Sequence, residues 1–213
     1  MTQIIPAILT DSSVKFKDLV LRLESYAKRI HVDIADGVFV PNKTIRGYEE
    51  IKDVENSVKF DVHLMVVKPQ DILKEWLHTY ADRIIIHVES ECNLGELISE
   101  IHQNKKQVGL ALNPETDTSR IEPFVDKVDF FQFMTVHPGF QGGQFVQEVV
   151  NKVAMFRDKY KGIMIMCDGG ITPVTTPGLV KAGASVLVSG SYIIKSPDID
   201  QAIEELKKSC TIL

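Results

Sequence analysis

The side chains best suited to bind a metal or move a proton are His31, Asp33, His63 and Asp168, each near the end of a β-branched run. Two imidazoles and two carboxylates together suit Zn²⁺, Mn²⁺, Fe²⁺ or Co²⁺. Taken singly, each residue also fits a plain structural role as a hydrogen-bonded strand residue or a helix cap. Because unpartnered buried charges are costly, four of them converging favours a shared function. The set therefore indicates one divalent metal ion, and no organic cofactor is expected.

The runs that carry these residues alternate with a period of two. His31 and Asp33 fall on one face of a strand whose opposite face is wholly apolar. His63 repeats the pattern in the next run, and Asp168 ends a later run in phase with two methionines. One face of the predicted sheet thus turns polar at the carboxyl ends of its strands. Active sites of parallel α/β barrels are assembled at that end.

Three further ionisable residues lie near the same strand ends. His87 and Glu89 share one face of the fourth run, and we interpret them as a pair that supports the cluster rather than as ligands. Asp36 begins an Asp-Gly turn after the second run, where it orders the backbone and supports the site.

Glycine-rich segments follow the sixth, seventh and eighth runs. Glycines let backbone N–H groups approach an anion, and the loops after strands seven and eight often build a phosphate site in barrels. The segment after the sixth run reads as a mobile loop that closes over the same phosphate. The candidate phosphate-binding residues are Gly139, Gly142, Gly143, Gly169, Gly170, Gly190 and Ser191.

Eight short β-branched runs alternate with amphipathic stretches of helical length. The predicted strands are Ile4–Leu9, Arg29–Ile34, Lys59–Met65, Arg83–Val88, Gln107–Leu112, Phe130–Val136, Gly162–Cys167 and Ser185–Val188. The predicted helices include Val14–Arg29, Pro69–Tyr80, Leu94–Asn104, Phe145–Lys159 and Pro197–Lys208. A helical stretch is expected after each strand, which is typical of a parallel α/β fold.

A closed (β/α)₈ TIM barrel is favoured over a doubly wound open sheet. No G-x-G-x-x-G turn follows the first strand, as a dinucleotide-binding open sheet would usually carry. No linker or change in composition divides the chain, so residues 1–213 are expected to form a single catalytic barrel domain.

Composition excludes several classes of protein. The net charge of −5 and the lack of a long basic tract argue against nucleic-acid binding. No apolar run approaches the roughly 20 residues that span a bilayer, and the first residues do not resemble a signal peptide. Three widely separated cysteines fit neither a disulfide framework nor a zinc ribbon. We expect a cytoplasmic protein with reduced thiols, no membrane partner and a homo-oligomeric assembly.

Several segments resemble the ribulose-phosphate 3-epimerase family over essentially the whole chain. They are Pro6–Leu9, His31–Asn42, Asp61–Met65, Pro138–Phe140, Asp168–Gly170, Ala182–Ala184 and Ser189–Ser191. The resemblance implies that the four residues named first are metal ligands, with Asp33 and Asp168 also the acid/base pair. It further implies a sugar-phosphate substrate, with the thioethers of Met65 and Met134 packed around the reaction intermediate.

The implied reaction explains why two aspartates are needed. Inverting C3 of a ketose phosphate removes a proton next to a carbonyl and leaves an enediolate, which a metal stabilises as a Lewis acid. The proton leaves one face and returns to the other, so two groups on opposite faces are required. Asp33 and Asp168 are expected on opposite sides of the barrel mouth. D-ribulose 5-phosphate and D-xylulose 5-phosphate are the expected substrate pair.

Four positions depart from the family pattern and leave the substrate open. Ala7 replaces a usual Ser, Ala35 a usual Met and His137 a usual Asn, while Gln141 stands among the loop glycines. Ala7 and His137 are therefore candidate supporting residues that widen or re-polarise the pocket. One alternative is a C3 epimerase of a hexulose 6-phosphate such as allulose 6-phosphate.

Two more distant alternatives are a barrel sugar-phosphate decarboxylase or aldolase and a degenerate phosphate-binding barrel used for regulation. The Asp-x-Lys-x-x-Asp pattern typical of the decarboxylases is absent after Asp33, which argues against the first. Retention of all four ligand-type residues argues against the second.

Overall fold

The computed structural model describes residues 2–52, 58–140 and 142–211; Gln141 lies outside them. Eight parallel strands form one closed barrel in the order β1-β2-β3-β4-β5-β6-β7-β8. The predicted (β/α)₈ TIM barrel is therefore confirmed. Within the described part of the chain, no helix has the length and apolar character needed to cross a membrane.

The strands lie close to their predicted bounds. They are β1 Gln3–Ile8, β2 Arg29–Ala35, β3 Lys59–Met65, β4 Ala81–His87, β5 Gln107–Leu112, β6 Phe130–Met134, β7 Met164–Asp168 and β8 Val186–Ser189. The α-helices are α1 Ser13–Leu23, α2 Tyr48–Lys52, α3 Gln70–Leu77, α4 Leu94–Gln103, α5 Glu148–Lys159, α6 Thr176–Lys181, α7 Ser191–Ile194 and α8 Ile199–Ser209.

Local sequence explains where the longer helices begin. The side chain of Ser12 accepts a hydrogen bond from the backbone N–H of Lys15 and caps α1. Asn93 caps α4 and Asp198 caps α8 in the same way. Each cap satisfies a backbone donor that the first helical turn leaves unpaired.

Two predictions about the helices are wrong. The first helix ends at Leu23 rather than Arg29, because Arg29 begins β2, where its guanidinium pairs with the carboxylate of Asp61. No α-helix lies between β5 and β6. That connection contains two short 3₁₀-helices, Thr118–Arg120 and Glu122–Phe124, and the second has a proline within its first turn.

The two faces of each strand have different environments, as their alternation predicted. Outward side chains such as Val32, Ile86 and Leu110 pack into one large apolar core with the surrounding helices. Cys167 also belongs to that outer core. The barrel interior holds a separate apolar cluster: Ile5, Ala7, Ile85, Ala111, Phe130, Met166, Val186 and Val188. This cluster forms an apolar floor beneath the polar residues at the carboxyl ends of the strands.

Charged side chains and an aromatic ring fill the amino-terminal end of the barrel. Buried Asp61 pairs with both Arg29 and Arg83, so its charge is matched inside the barrel. On β5, Gly109 leaves room for the ring of Phe130, because a Cβ there would lie 2.3 Å from Phe130 Cε2. The close approach of this ring requires glycine.

We therefore expect Gly109→Ala to lower the free energy of unfolding by about 1–3 kcal/mol, since the fully buried Phe130 ring must shift to admit a methyl group. Urea unfolding measures this difference. Gly162→Ala is the matched control, because a Cβ at Gly162 meets nothing within 4 Å. Equal stability of the two variants would contradict the packing argument.

Candidate active site

Strand register brings the four predicted ligand residues together at the carboxyl end of the barrel. Asp33 on β2 is directly paired with His63 on β3, and Ala7 on β1 is paired with His31. The candidate ligand atoms of His31, Asp33, His63 and Asp168, hereafter the His/Asp cluster, all lie within 4.8 Å of one another. Strands β1 and β8 separate β2 from β7, so the two aspartates lie three strand steps apart, one short of diametrically opposite.

Distances within the His/Asp cluster are those of a compact polar site. His63 Nδ1 lies 2.9 Å from Asp33 Oδ1 and 3.5 Å from Asp168 Oδ2. His31 Nε2 lies 3.4 Å from Asp33 Oδ1 and 3.5 Å from Asp168 Oδ2. Both imidazoles are fully buried, whereas the Asp33 and Asp168 side chains are 12% and 9% exposed. The carboxylates therefore form the face of the cluster that meets solvent.

The two aspartates differ in electrostatics. Burial acts to raise the pKa of Asp33, but its contacts with His31 and His63 outweigh burial and hold that pKa well below its usual value. For Asp168, burial and the charge of Asp33 together raise the pKa to about 7. A carboxylate pair whose pKa values diverge is the arrangement found in acid/base sites.

The surroundings of His31 indicate that a cation fits the cluster. Burial lowers the pKa of His31, but the carboxylates of Asp33 and Asp168 outweigh it and raise the pKa to about 9. Both ring nitrogens of His31 are buried and have no hydrogen-bond partner among the described residues. Of these, Nε2 faces the carboxylates of Asp33 and Asp168, and an unpartnered nitrogen beside two carboxylates suits a divalent metal, so the four residues fit such an ion.

Gln132 is a residue of the site that sequence reasoning missed. It lies in the middle of β6, faces the barrel interior and is fully buried. Its Nε2–H donates to Asp168 Oδ2 over 3.0 Å, while its Oε1 has no hydrogen-bond partner among the described residues. A polar amide between phenylalanines of a strand was the available signal, since such a group is rarely buried without a specific contact.

The pair His87 and Glu89 lies beside the cluster, as interpreted from sequence. His87 Nδ1 is 3.0 Å from Glu89 Oε2, and His87 Nε2 is 2.8 Å from His63 Nε2. Burial lowers the pKa of His87 to about 4. Burial acts to raise the pKa of Glu89, but hydrogen bonds from His87 and from Asn113 and Thr116 lower it to about 2.

A small open cavity lies over the two aspartates. Its lining contains Asp33, Asp168, Ala7, Met65 and Met134, together with every glycine proposed for phosphate binding and Ser191. Gly169 and Gly170 adopt φ values of 106° and 60°, in the left-handed region that favours glycine. Among the described residues that line the cavity, none is a lysine or arginine.

The loops after β2 and β6 meet across this mouth. Asp36 accepts hydrogen bonds from the backbone N–H groups of Val38, Phe39 and Val67 and so orders the turn after β2. The carbonyl of Gly139 in the β6 loop accepts a 2.6 Å hydrogen bond from Asn42. The two loops are thereby joined above the cavity.

Two of the four positions that depart from the family pattern lie outside the lining. His137 is 69% exposed and contacts Glu115, whereas its neighbour Val136 lines the cavity. His137 therefore lies outside the cavity lining, and its role in re-polarising the pocket stays a prediction. Ala35 packs instead against Val40 and Met65 in a small buried cluster beside the cavity.

The sequence analysis did not assign the apolar part of the lining to the site. Leu9, Val136, Pro138, Phe140 and Ile171 border the cavity beside the glycines. Phe140 is 58% exposed at the edge of the cavity. Its position between glycines of the β6 segment was the available signal.

The chain is similar to known proteins over nearly its whole length. The model of the Ribulose-phosphate 3 epimerase family matches residues 3–194. The Ribulose-5-phosphate-3-epimerase, chloroplastic, of Arabidopsis thaliana is 35% identical and covers 96% of this chain and 75% of its own. The Ribulose-phosphate 3-epimerase of Schizosaccharomyces pombe is 33% identical and covers 97% of this chain and 93% of its own.

Solved structures share the architecture at lower identity. The 3-hexulose-6-phosphate synthase from Salmonella typhimurium has a TM-score of 0.72 and 12% identity, with 98% of this chain and 98% of that chain covered. At that identity the likeness shows the barrel fold alone. The family match and the curated relatives, by contrast, extend over nearly the whole chain, and the chain belongs to the ribulose-phosphate 3-epimerase family of isomerases.

Proposed function

We propose that the protein reversibly interconverts D-ribulose 5-phosphate and D-xylulose 5-phosphate by inverting C3. The observation that carries the proposal is the pair Asp33 and Asp168, whose pKa values diverge and which line one cavity. The names of the relatives support the same substrate. An inversion needs one base and one acid at the same carbon, and this pair supplies both.

The substrate phosphate binds at the glycine side of the cavity. Gly170, Gly190 and Ser191 border the cavity from the ends of β7 and β8. Because no lysine or arginine lies among the described lining residues, backbone N–H groups carry the recognition of the phosphate. The sugar then extends towards the aspartates, with Met65 and Met134 as its apolar neighbours.

Proton transfer follows from the protonation of the two aspartates. Asp33, ionised because its pKa is depressed, removes the C3 proton from one epimer. Asp168, which retains a proton up to about pH 7, delivers a proton to the other face of C3. The reverse reaction exchanges the two roles, so in both directions the active pair holds one proton.

His31, Asp33, His63 and Asp168 would hold a divalent ion of zinc, iron, manganese or cobalt. Such an ion, when bound, supplies a Lewis acid that stabilises negative charge on the substrate oxygens. The joined β2 and β6 loops exclude water from the cavity during the proton exchange.

A coupled assay with D-ribulose 5-phosphate tests the proposal. We expect chelated protein to be inactive and turnover to return when Zn²⁺, Mn²⁺, Fe²⁺ or Co²⁺ is added, because the cluster is built for a cation. Turnover of a hexulose 6-phosphate in place of the pentose would move the assignment to that substrate, with Ala7 as the cavity residue to examine. Inactivity on both substrates with every metal would refute the proposed reaction.

The roles of the two aspartates are tested by Asp33→Asn and Asp168→Asn. Each amide lacks the transferable proton site, so kcat is expected to fall by about 10²–10⁴-fold or more while the fold is retained. Circular dichroism and thermal unfolding check the fold. Asp82→Asn, at the opposite end of the barrel, is the control that keeps kcat. Near-normal kcat in either active-site variant would rule out its assigned role.

Gln132→Met tests how the acid is tuned. The Gln132 amide donates to Asp168 and thereby favours the ionised carboxylate, so its loss raises the pKa of Asp168. The alkaline limb of the kcat/KM profile should then move to higher pH by about one unit, since a charge-assisted hydrogen bond contributes about 1.5 kcal/mol. Gln107→Met, which affects an Arg83 contact at the far end of the barrel, should leave the limb in place. An unmoved or lowered limb in Gln132→Met would contradict this role.

A further inference from the structure

A continuous chain of hydrogen-bonding groups runs from the His/Asp cluster to the loop after β5. His63 Nε2 lies 2.8 Å from His87 Nε2, and His87 Nδ1 lies 3.0 Å from Glu89 Oε2. The other carboxylate oxygen, Glu89 Oε1, accepts hydrogen bonds from the backbone N–H of Asn113, over 2.9 Å, and from the hydroxyl of Thr116. Both imidazoles are fully buried and Glu89 is 16% exposed. We call Glu89, His87 and His63 the relay.

The contacts of Glu89 set the polarity of the relay, that is, which nitrogen donates and which accepts in each of its hydrogen bonds. An ionised carboxylate only accepts hydrogen bonds, and Glu89 Oε1 already accepts from the backbone N–H of Asn113 and the hydroxyl of Thr116, while Oε2 lies 3.0 Å from His87 Nδ1. His87 Nδ1 must then carry the hydrogen that Glu89 accepts. A neutral imidazole has one N–H, so His87 Nε2 is left as an acceptor. The hydrogen between the two imidazoles therefore belongs to His63 Nε2.

This polarity leaves a lone pair on the nitrogen of His63 that faces the cluster. That nitrogen, Nδ1, lies 2.9 Å from Asp33 Oδ1 and 3.5 Å from Asp168 Oδ2. A nitrogen lone pair opposite the ionised carboxylate of Asp33 is repulsive unless a cation lies between them. The hydrogen bond made by one imidazole nitrogen sets the state of the other.

We propose that Glu89 and His87 are positioning residues that hold His63 in its Nε2–H tautomer and so present the Nδ1 lone pair to a divalent cation. The inference deepens the proposed function, on which it rests for the identity of the His/Asp cluster as the metal site. Neither positioning residue touches the substrate cavity, since neither is part of its lining. They act through the orientation and protonation of one ligand.

The opposite polarity provides the competing outcome. A proton on Glu89 would reverse every donor in the relay, and His63 would then carry its hydrogen on Nδ1 and donate it to Asp33. Glu89→Gln imposes that reversal, because its amide oxygen can accept from Asn113 while its NH₂ group faces His87 as a donor. The reversed His63 would have to lose its Nδ1 hydrogen before a cation could bind there.

The test is long-range ¹H–¹⁵N NMR of the full-length, chelator-treated protein, with His63 assigned by loss of its signals in His63→Gln. We expect the Nε2–H tautomer for His63 in the wild type and a shift towards Nδ1–H in Glu89→Gln. Zn²⁺ affinity, measured by calorimetry, should fall by about 10–100-fold in the same variant. An Nδ1–H tautomer of His63 in the wild type would overturn the proposal without any variant.

Asp129→Asn is the matched control. Asp129 also accepts from a histidine, His102, over 2.9 Å and from a backbone N–H, that of Val108, over 2.8 Å, but it lies on the outer surface. The Asp129→Asn variant should leave the His63 tautomer and the Zn²⁺ affinity unchanged. Unchanged tautomer and affinity in Glu89→Gln would equally overturn the relay. Neither readout uses a sugar phosphate, so absent epimerase turnover with both results intact would count against the proposed substrate and not against the relay.

Discussion

The constraint on which the rest of the site depends is the crowding of two carboxylates and two imidazoles within 4.8 Å at the mouth of the barrel. Taking such groups out of water carries a penalty of several kcal/mol for each ion, and their attraction offsets it only where the geometry is well supported. The surrounding structure provides this support. Gln132 donates to Asp168, and His87 contacts His63 from the next strand.

The same crowding accounts for the unequal aspartates. Asp33 lies 3.4 Å from His31 Nε2, and the positive charge of His31 stabilises the ionised carboxylate. Burial and the negative charge of Asp33 disfavour the ionisation of Asp168, although the amide of Gln132 opposes this effect. The same barrel mouth therefore holds one ionised aspartate and one aspartate that retains its proton, although the two residues are of the same type. The difference arises from the neighbours of each carboxylate: His31 on the same strand lies beside Asp33, whereas Asp168 meets the charge of Asp33 from three strand steps away.

The opposite end of the barrel shows why the active end can be polar. Asp61, in phase with His63 on β3, is buried at the closed end and matched by Arg29 and Arg83. Between these two polar layers lies the apolar cluster that includes Phe130 and Met166. The apolar floor separates the structural ion pairs from the cavity, so each polar layer interacts with its own neighbours.

The sequence by itself determined which face of each strand is polar, because alternation is a local property: His31 and Asp33 had to share a face. It also predicted the glycines of the cavity lining, since loops after parallel strands meet at one end of a barrel. Only the tertiary structure decided that Asp33 lies beside His63, that Gln132 contacts Asp168 and that His137 points outward. Those contacts join residues 30 and 36 positions apart, or depend on the path of a loop. Strand register and barrel closure set them, and neither is encoded in the pattern of any single segment.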